Sequence, residues 1–448
     1  MRRRATLSPA LTPMYIPEAF GSSELGWAVY GPLLLMLVMF VLAVPVWVSL
    51  GITALLILLL GGSLPIELIG ESVFHGLDAF ALIAIPLFVL TGDVLVRTGL
   101  SLKLLNIAEA TMGSARSGLG TSTVLGCGFF ACVSGSDAAG AAAVGRITIG
   151  QLIERGYAPG YACALVAAGS CTGILIPPSI AYIIIGMVLG ISTSTLFLAA
   201  IVPGVLVMVS IMLTNVVMNR LRGYEQASRR FDFRHWLWTV WDGRYALLVP
   251  GIIFGGIYSG VFTPTEAAAV AVVTSIVVGL WQGTFRLQDF PGTLEGSAKV
   301  CGVIVPIIAV ALPLAQVFAI NDVPQSLIAS VTAVTGNPVL IILMMLGVFI
   351  VAGLIMESTP NIVILAPIML PLAQEVGMHD IHFCIFMVTA LGIGFITPPL
   401  GLNLFVISGI TGQPVLTIAA RAFPFVLAML AVALLLAFVP ELSLFLLD

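Results

Sequence analysis

Apolar stretches of membrane-spanning length follow one another along almost the whole chain, near 28–60, 79–96, 160–190, 195–218, 245–261, 266–283, 300–320, 384–408 and 422–441. Only short polar segments separate them, and no single water-soluble core accommodates so many. A bilayer hydrocarbon layer about 30 Å thick is crossed by roughly 20 helical residues. At 448 residues, the chain is long enough for roughly ten crossings. The composition agrees: 60% of residues are hydrophobic and 8% charged, where a soluble domain is about a quarter charged. The pattern predicts an all-α polytopic membrane protein.

Two further apolar stretches, 120–146 and 339–376, are interrupted at their middles by polar, Gly and Pro residues. A lone lipid-facing helix does not tolerate such interruptions, so both are expected to be re-entrant helical hairpins. The basic residues set their sidedness, because Lys and Arg near membrane segments collect on the cytoplasmic face. With Arg2, Arg3 and Arg4 inside and each hairpin returning to its own side, Arg97, Lys103, Arg116, Arg146 and Arg155 fall inside. So do Arg220, Arg222, Arg229, Arg230, Arg234, Arg244, Arg286, Lys299 and Arg421. The segments left outside (62–77, 191–194, 262–265, 321–338, 377–383 and the end after Pro440) contain Glu67, Glu71 and Asp322 but no Lys or Arg. The first hairpin then enters from the cytoplasm and the second from outside.

The expected organisation is an N-terminal extension (1–27) that is not cleaved as a signal peptide, a scaffold span region (28–78), and a first transport repeat (79–218). A basic cytoplasmic linker (219–244), further scaffold spans (245–299) and a second, inverted repeat (300–448) follow. The repeat is visible in the residues. Gly169-Ser-Cys-Thr-Gly-Ile-Leu-Ile-Pro177-Pro178-Ser179 has its counterpart in Ala390-Leu-Gly-Ile-Gly-Phe-Ile-Thr-Pro398-Pro399-Leu400, and Gly173 matches Gly394. The same offset sets the hairpin tip Ser134-Gly135-Ser136-Asp137 opposite Ile355-Met356-Glu357-Ser358. Oppositely oriented repeats with Gly/Pro-interrupted segments at matching places point to a transporter with its site near the bilayer midplane.

A double proline withholds two donors and clashes with the preceding turn, so each pair is expected to break its helix. An unsatisfied backbone group in hydrocarbon costs several kcal/mol, so breaks persist where protein, water or an ion supplies the partner. Gly169, Gly173, Gly392 and Gly394 permit close approach of the tips. Carbonyl, Ser, Thr and Asn oxygens suit a hard cation such as sodium, and half-helix N-termini suit a carboxylate. Asp137 and Glu357 are costly at membrane depth and therefore functional candidates, with capping of a half-helix the favoured role over substrate contact. Asp93 and Arg97, one turn apart, are expected to pair locally.

Other chemistry is sparse. Cys127, Cys132, Cys163, Cys171, Cys301 and Cys384 sit in apolar or small-residue stretches as packing residues. His379, Asp380 and His382 are expected in a solvated loop rather than on a metal. There is no GxxxxGK[ST] phosphate-binding motif, so ATP hydrolysis by that route is excluded. No convergent set of His, Asp or Glu points to an enzyme, and two opposed blind hairpins do not make a channel lining.

Gly260-Val-Phe-Thr-Pro-Thr-Glu-Ala-Ala-Ala269, Ser134-Gly-Ser136, Gly173-Ile-Leu-Ile-Pro-Pro-Ser179 and Leu196-Phe-Leu-Ala-Ala-Ile-Val-Pro203-Gly204 resemble the large permease subunit of tripartite ATP-independent periplasmic (TRAP) transporters. The resemblance runs from about residue 31 to the C-terminus. It implies a multi-pass protein of the bacterial inner membrane and sodium-driven symport by an elevator movement. No cofactor is implied beyond the coupling ion sodium. The implied partners are a small membrane subunit, a periplasmic substrate-binding protein, membrane lipid and a small organic anion, with no nucleic acid. Carried over by position, the sodium-site candidates are Ser134, Ser136, Gly169, Gly173, Thr359, Asn361, Gly394 and Thr397, and the substrate-side candidates are Ser170, Thr172, Ser179 and Asn403. The alternative is a sodium/dicarboxylate symporter or related anion transporter that needs no binding protein, against which the Phe262–Ala269 motif argues.

Overall fold

The computed structural model describes residues 22–61, 67–113, 117–225 and 231–447. Arg2–Arg4, most of the N-terminal extension, residues 62–66, Arg116, Arg229 and Arg230 lie outside the described residues. Among the described residues every regular element is a helix. Seven helical segments are long and apolar enough to cross a membrane by length and composition alone.

The first apolar stretch, expected as one span over 28–60, is two helices, α1 (Ser22–Val41) and α2 (Val46–Gly61), packed on one another. Ala43 takes a left-handed φ of 56° and Pro45 withholds a donor before α2. One helix over that stretch would be about 50 Å long at 1.5 Å per residue, well beyond the hydrocarbon layer. The turn cuts it to lengths that fit.

The first repeat follows α3 (Glu67–Leu77) and comprises α4 (Ala84–Arg97), α5 (Leu100–Met112), α6 (Gly118–Ser134), α7 (Asp137–Glu154), α8 (Pro159–Ser170), α9 (Thr172–Leu175), α10 (Ile180–Leu189) and α11 (Thr193–Arg222). Then come α12 (Phe233–Asp242), α13 (Arg244–Tyr258) and α14 (Pro264–Trp281). The second repeat comprises α15 (Phe290–Ile320), α16 (Val323–Val334), α17 (Pro338–Ile355), α18 (Ser358–Glu375), α19 (Asp380–Gly394), α20 (Leu402–Thr411) and α21 (Val415–Phe438), followed by α22 (Glu441–Leu444). Both repeats run through the same order: a helix, a short helix, a hairpin, a helix broken at Pro-Pro, and a long closing helix.

Several segments expected as loops are helical. α16 occupies much of 321–338, α3 much of 62–77, and α12 part of the basic linker. Each is only 10 to 12 residues long, below the length of a span. α16 is amphipathic, with Leu327, Ile328 and Val331 packed on the main core. The expected solvated loop at 379–382 is a helix start instead: His379 caps α19 by accepting the Ile381 N–H, and His382 is buried with Nδ1 3.1 Å from Ser443 Oγ.

One apolar core runs through the hairpins, the broken helices, α11 and α21. The hairpins exchange partners across the repeats: α7 packs on α20, and α18 packs on α10. α15 lies against α2, α3, α4 and α18 and so joins the outer helices to the second hairpin. At the base of the first hairpin a buried polar cluster replaces apolar packing. The Glu225 carboxylate, 2% exposed, accepts the Leu119 N–H at 3.2 Å and the Tyr157 hydroxyl at 3.0 Å, with Arg155 3.8 Å away. Asn219 Nδ2 donates to Ser117 Oγ at 2.6 Å and to the Glu225 carbonyl at 3.1 Å. The Tyr224 ring stacks on Tyr157. The end of α11, the start of α6 and the α7–α8 turn are thus tied together.

The family motif has a local physical role. Thr263 Oγ1 accepts the Glu266 N–H at 3.3 Å while Glu266 Oε2 accepts the Thr263 N–H at 2.8 Å, and Pro264 occupies the first helical position. This reciprocal capping box starts α14. Thr265 Oγ1 then donates to the Phe80 carbonyl just ahead of α4.

Candidate functional site

The first tip is built around Gly135. Its φ of +62° ends α6, and Ser136 in extended conformation opens α7 by accepting the Ala139 N–H at 3.4 Å. A side chain at Gly135 would meet the Pro178 carbonyl at 2.8 Å, and the Gly135 carbonyl accepts the Ile180 N–H at 3.2 Å. A Cβ on Gly173 would stand 2.7 Å from both N and Cα of Asp137. The tip's main chain therefore rests directly on the first break, where the Pro177–Pro178 peptide is cis.

The second tip is assembled differently. α17 ends at Ile355, Met356 and Glu357 are extended, and α18 begins at Ser358. Asn361 Nδ2 reaches back from the first turn of α18 to the carbonyls of Ala352 (3.1 Å) and Met356 (3.0 Å). Behind this tip Gly353 and Gly394 meet backbone to backbone, and a Cβ on Gly394 would lie 2.7 Å from the Leu354 nitrogen. Here too the double proline, Pro398–Pro399, is cis.

Both tips open on one cavity of about 350 Å³. Ser134, Ser136 and Asp137 line it from the first tip, Glu357, Ser358 and Thr359 from the second, Asp93 from α4, and Arg146 from α7. The expected capping role of the carboxylates is not the arrangement found. Ser136 caps α7, and Glu357, at the N-cap position of α18, makes no side-chain capping bond. Asp137 is 2% exposed, and its Oδ2 has no hydrogen-bond partner. Asp93 and Arg97 do not pair with each other as expected. Asp93 accepts from Ser297 Oγ at 2.6 Å and Arg97 donates to the Gly292 carbonyl at 3.1 Å, so each ties α4 to α15.

Of the ion-site and substrate-side candidates, Ser134, Ser136 and Thr359 lie on the cavity wall. Gly173 lies beneath the first tip, and Asn361 and Gly394 lie beneath the second. A Cβ on Gly169 would be 3.2 Å from Cys127 Sγ, so that glycine fits α8 to α6. The hydroxyls of Ser170, Thr172, Ser179 and Thr397 donate to the carbonyls of Val166 (2.8 Å), Gly169 (2.7 Å), Ile174 (2.8 Å) and Ile393 (2.7 Å), and none of the four residues lines the cavity. Asn403 is fully buried, with Nδ2 3.3 Å from the Ala167 carbonyl of the other repeat. Asp93 and Arg146 were not singled out as site residues. Arg146 shares one face of α7 with the small cavity-lining residues Ala139, Ala142 and Ala143, a spacing of three and four that marks it.

A sodium ion needs clustered oxygens, and the chain offers suitable atoms. Asn361 Oδ1 and Asn403 Oδ1 are buried without a hydrogen-bond partner among the described residues. Both stand next to a break or a tip, each with its amide nitrogen already engaged by a carbonyl. A buried amide oxygen left unpaired carries a desolvation cost of about 1–3 kcal/mol, which a cation would offset.

Two hairpins and two broken helices exchanged between inverted halves, in an all-α membrane protein, define a polytopic secondary transporter. A family model, "Tripartite ATP-independent periplasmic transporter, DctM component", matches residues 33–442, and the chain belongs to this family of TRAP large permease subunits. It is accordingly a multi-pass protein of the bacterial inner membrane and a transporter component. It is 38% identical over 397 residues to the C4-dicarboxylate TRAP transporter large permease protein DctM of Pseudomonas aeruginosa, covering 88% of this chain and 93% of that one. It is 32% identical over 406 residues to the sialic acid TRAP transporter large permease protein SiaM of Vibrio cholerae, covering 90% and 94%. It is 35% identical over 406 residues to the isethionate TRAP transporter permease protein DctMQ of Oleidesulfovibrio alaskensis, covering 90% of this chain but spanning 64% of that relative's length. Among solved structures it resembles in fold the YdaH transporter of Alcanivorax borkumensis, with a TM-score of 0.61 at 16% identity over 84% of this chain and 88% of that one.

Proposed function

We propose that this permease takes up a small organic acid, delivered by a periplasmic binding protein, in symport with sodium. The unit that moves is the block of hairpins and broken helices, sliding as an elevator against the outer helices. A small membrane subunit completes the system. The observation that carries this reading is the meeting of both hairpin tips in one cavity, the first seated on its Pro-Pro break and the second backed by the end of the helix that leads into the other. Membership of the TRAP family supports the partners, and the names of the relatives support an organic acid as the cargo.

Sodium coupling is energetically adequate. One charge moved through 100 mV is worth about 2.3 kcal/mol, so two ions supply about 4.6 kcal/mol. At about 1.4 kcal/mol per tenfold, that supports accumulation of roughly a thousandfold before substrate charge is subtracted. The test is uptake into proteoliposomes carrying both membrane subunits, with the binding protein added outside. Uptake is expected only with an inward sodium gradient and the binding protein. Undiminished uptake without sodium rejects the coupling, and full uptake without the binding protein favours the stand-alone symporter.

A further inference from the structure

The side chains facing the cavity are a poor match for a substrate with two carboxylates. Three acids, Asp93, Asp137 and Glu357, line it, and Arg146 is the one basic residue among the described lining residues. Asp93 is engaged by Ser297. Asp137 and Glu357 sit at the tips, where Asp137 Oδ2 is buried and unpartnered. Arg146 is exposed and lies seven residues along α7 from Ala139, about 10 Å from the tip end of that face. The cavity thus has an acceptor end at the tips and a cationic end away from them. Two carboxyl groups already share the tip end, so a carboxylate placed there would add to their mutual repulsion, whereas hydroxyl or ammonium groups would donate to Asp137 and Glu357.

We infer that the cargo is a monocarboxylate whose remaining groups are hydrogen-bond donors, a polyhydroxylated or amino acid, with its single carboxylate toward Arg146 and its donors toward Asp137 and Glu357. This rests on the uptake reading above and narrows its substrate class to exclude plain dicarboxylates. Selection by the periplasmic partner is avoided by measuring binding to the permease itself.

The test is thermal stabilisation of the purified complex of both membrane subunits, in sodium chloride, by gluconate, β-alanine and succinate. Gluconate or β-alanine is expected to stabilise at a concentration at least tenfold below that of succinate. Asp137→Asn and Glu357→Gln are expected to bring that ratio close to one, and Arg146→Gln to weaken all three probes. Succinate acting at an equal or lower concentration, no stabilisation by any probe, or an unchanged ranking in both tip variants overturns the inference. Tip variants that alter sodium dependence with the ranking unchanged also overturn it and assign the carboxylates to the cation. If the ranking holds but uptake needs no sodium or no binding protein, the transport-coupling reading fails and this one stands.

Discussion

The Ile180 N–H donates to the Gly135 carbonyl at 3.2 Å, so the first residue of α10 is hydrogen-bonded to the turn of a hairpin more than forty positions earlier. That bond joins the first tip to the element beyond the double proline, and with Gly173 beneath Asp137 it makes tip and break one unit. The second tip holds itself together through Asn361, and behind it α17 meets the end of α19 by glycine-to-glycine contact.

Gly173→Ala sets a methyl 2.7 Å from main-chain atoms of Asp137, which have no rotamer with which to yield. The expected result is a loss of about 1–3 kcal/mol in stability together with most of the transport. Gly150→Ala, in α7 with nothing within 4 Å of its Cβ position, is expected to be neutral or stabilising by up to about 1 kcal/mol. Thermal unfolding of both variants checks the contrast; equal effects would remove the claim of tip-to-break contact.

Asn361→Ala removes the hydrogen bonds to the Ala352 and Met356 carbonyls and the unpartnered Oδ1. The sodium concentration for half-maximal uptake is expected to rise at least tenfold, about 1.4 kcal/mol, while the maximal rate at saturating sodium falls less. Sodium titration of uptake measures this directly. An unaltered half-saturation would take Asn361 out of the ion site.

Glu225→Ala leaves the Leu119 N–H and the Tyr157 hydroxyl without their buried acceptor. A cost of about 2–3 kcal/mol is expected from those unsatisfied donors, visible as a lower thermal midpoint. Tyr157→Phe removes one of the two bonds and is expected to cost about 1 kcal/mol. A Glu225→Ala protein as stable as the parent would mean that the cluster does not hold the hairpin base.

Thr263→Ala removes the side-chain cap of α14 and half of its capping box. About 1 kcal/mol of stability is expected to be lost, and Thr263→Ser is expected to restore most of it. Thermal unfolding of the pair decides whether the motif acts through the helix start or through some contact that the hydroxyl does not make.

The sequence made the membrane class, the repeat and both hairpins legible because each is local: run length, a Pro-Pro pair, a polar tip inside an apolar stretch. The hairpins were expected over 120–146 and 339–376, and the helices that form them cover 118–154 and 338–375. The turn at Ala43–Pro45 was missed because Pro45 and small residues do not interrupt apolarity, although the length of that stretch already argued against one helix. The site was legible only in part. Which hydroxyl faces a cavity depends on whether a nearby main-chain carbonyl captures it, as happens to Ser170, Thr172 and Ser179. Asp93 looked like a partner for Arg97 because they are one turn apart, and only tertiary packing sends each to α15 instead.

On the α4 side, Val89, Gly92 and Val96 line the cavity, with a Cβ position on Gly92 only 3.0 Å from Ser134 Cβ of the first tip. Contact between such surfaces is non-directional, because dispersion and water exclusion impose no angular registry. Displacement along that seam breaks no specific bond there. Bulk added at residue 92 is what would jam it.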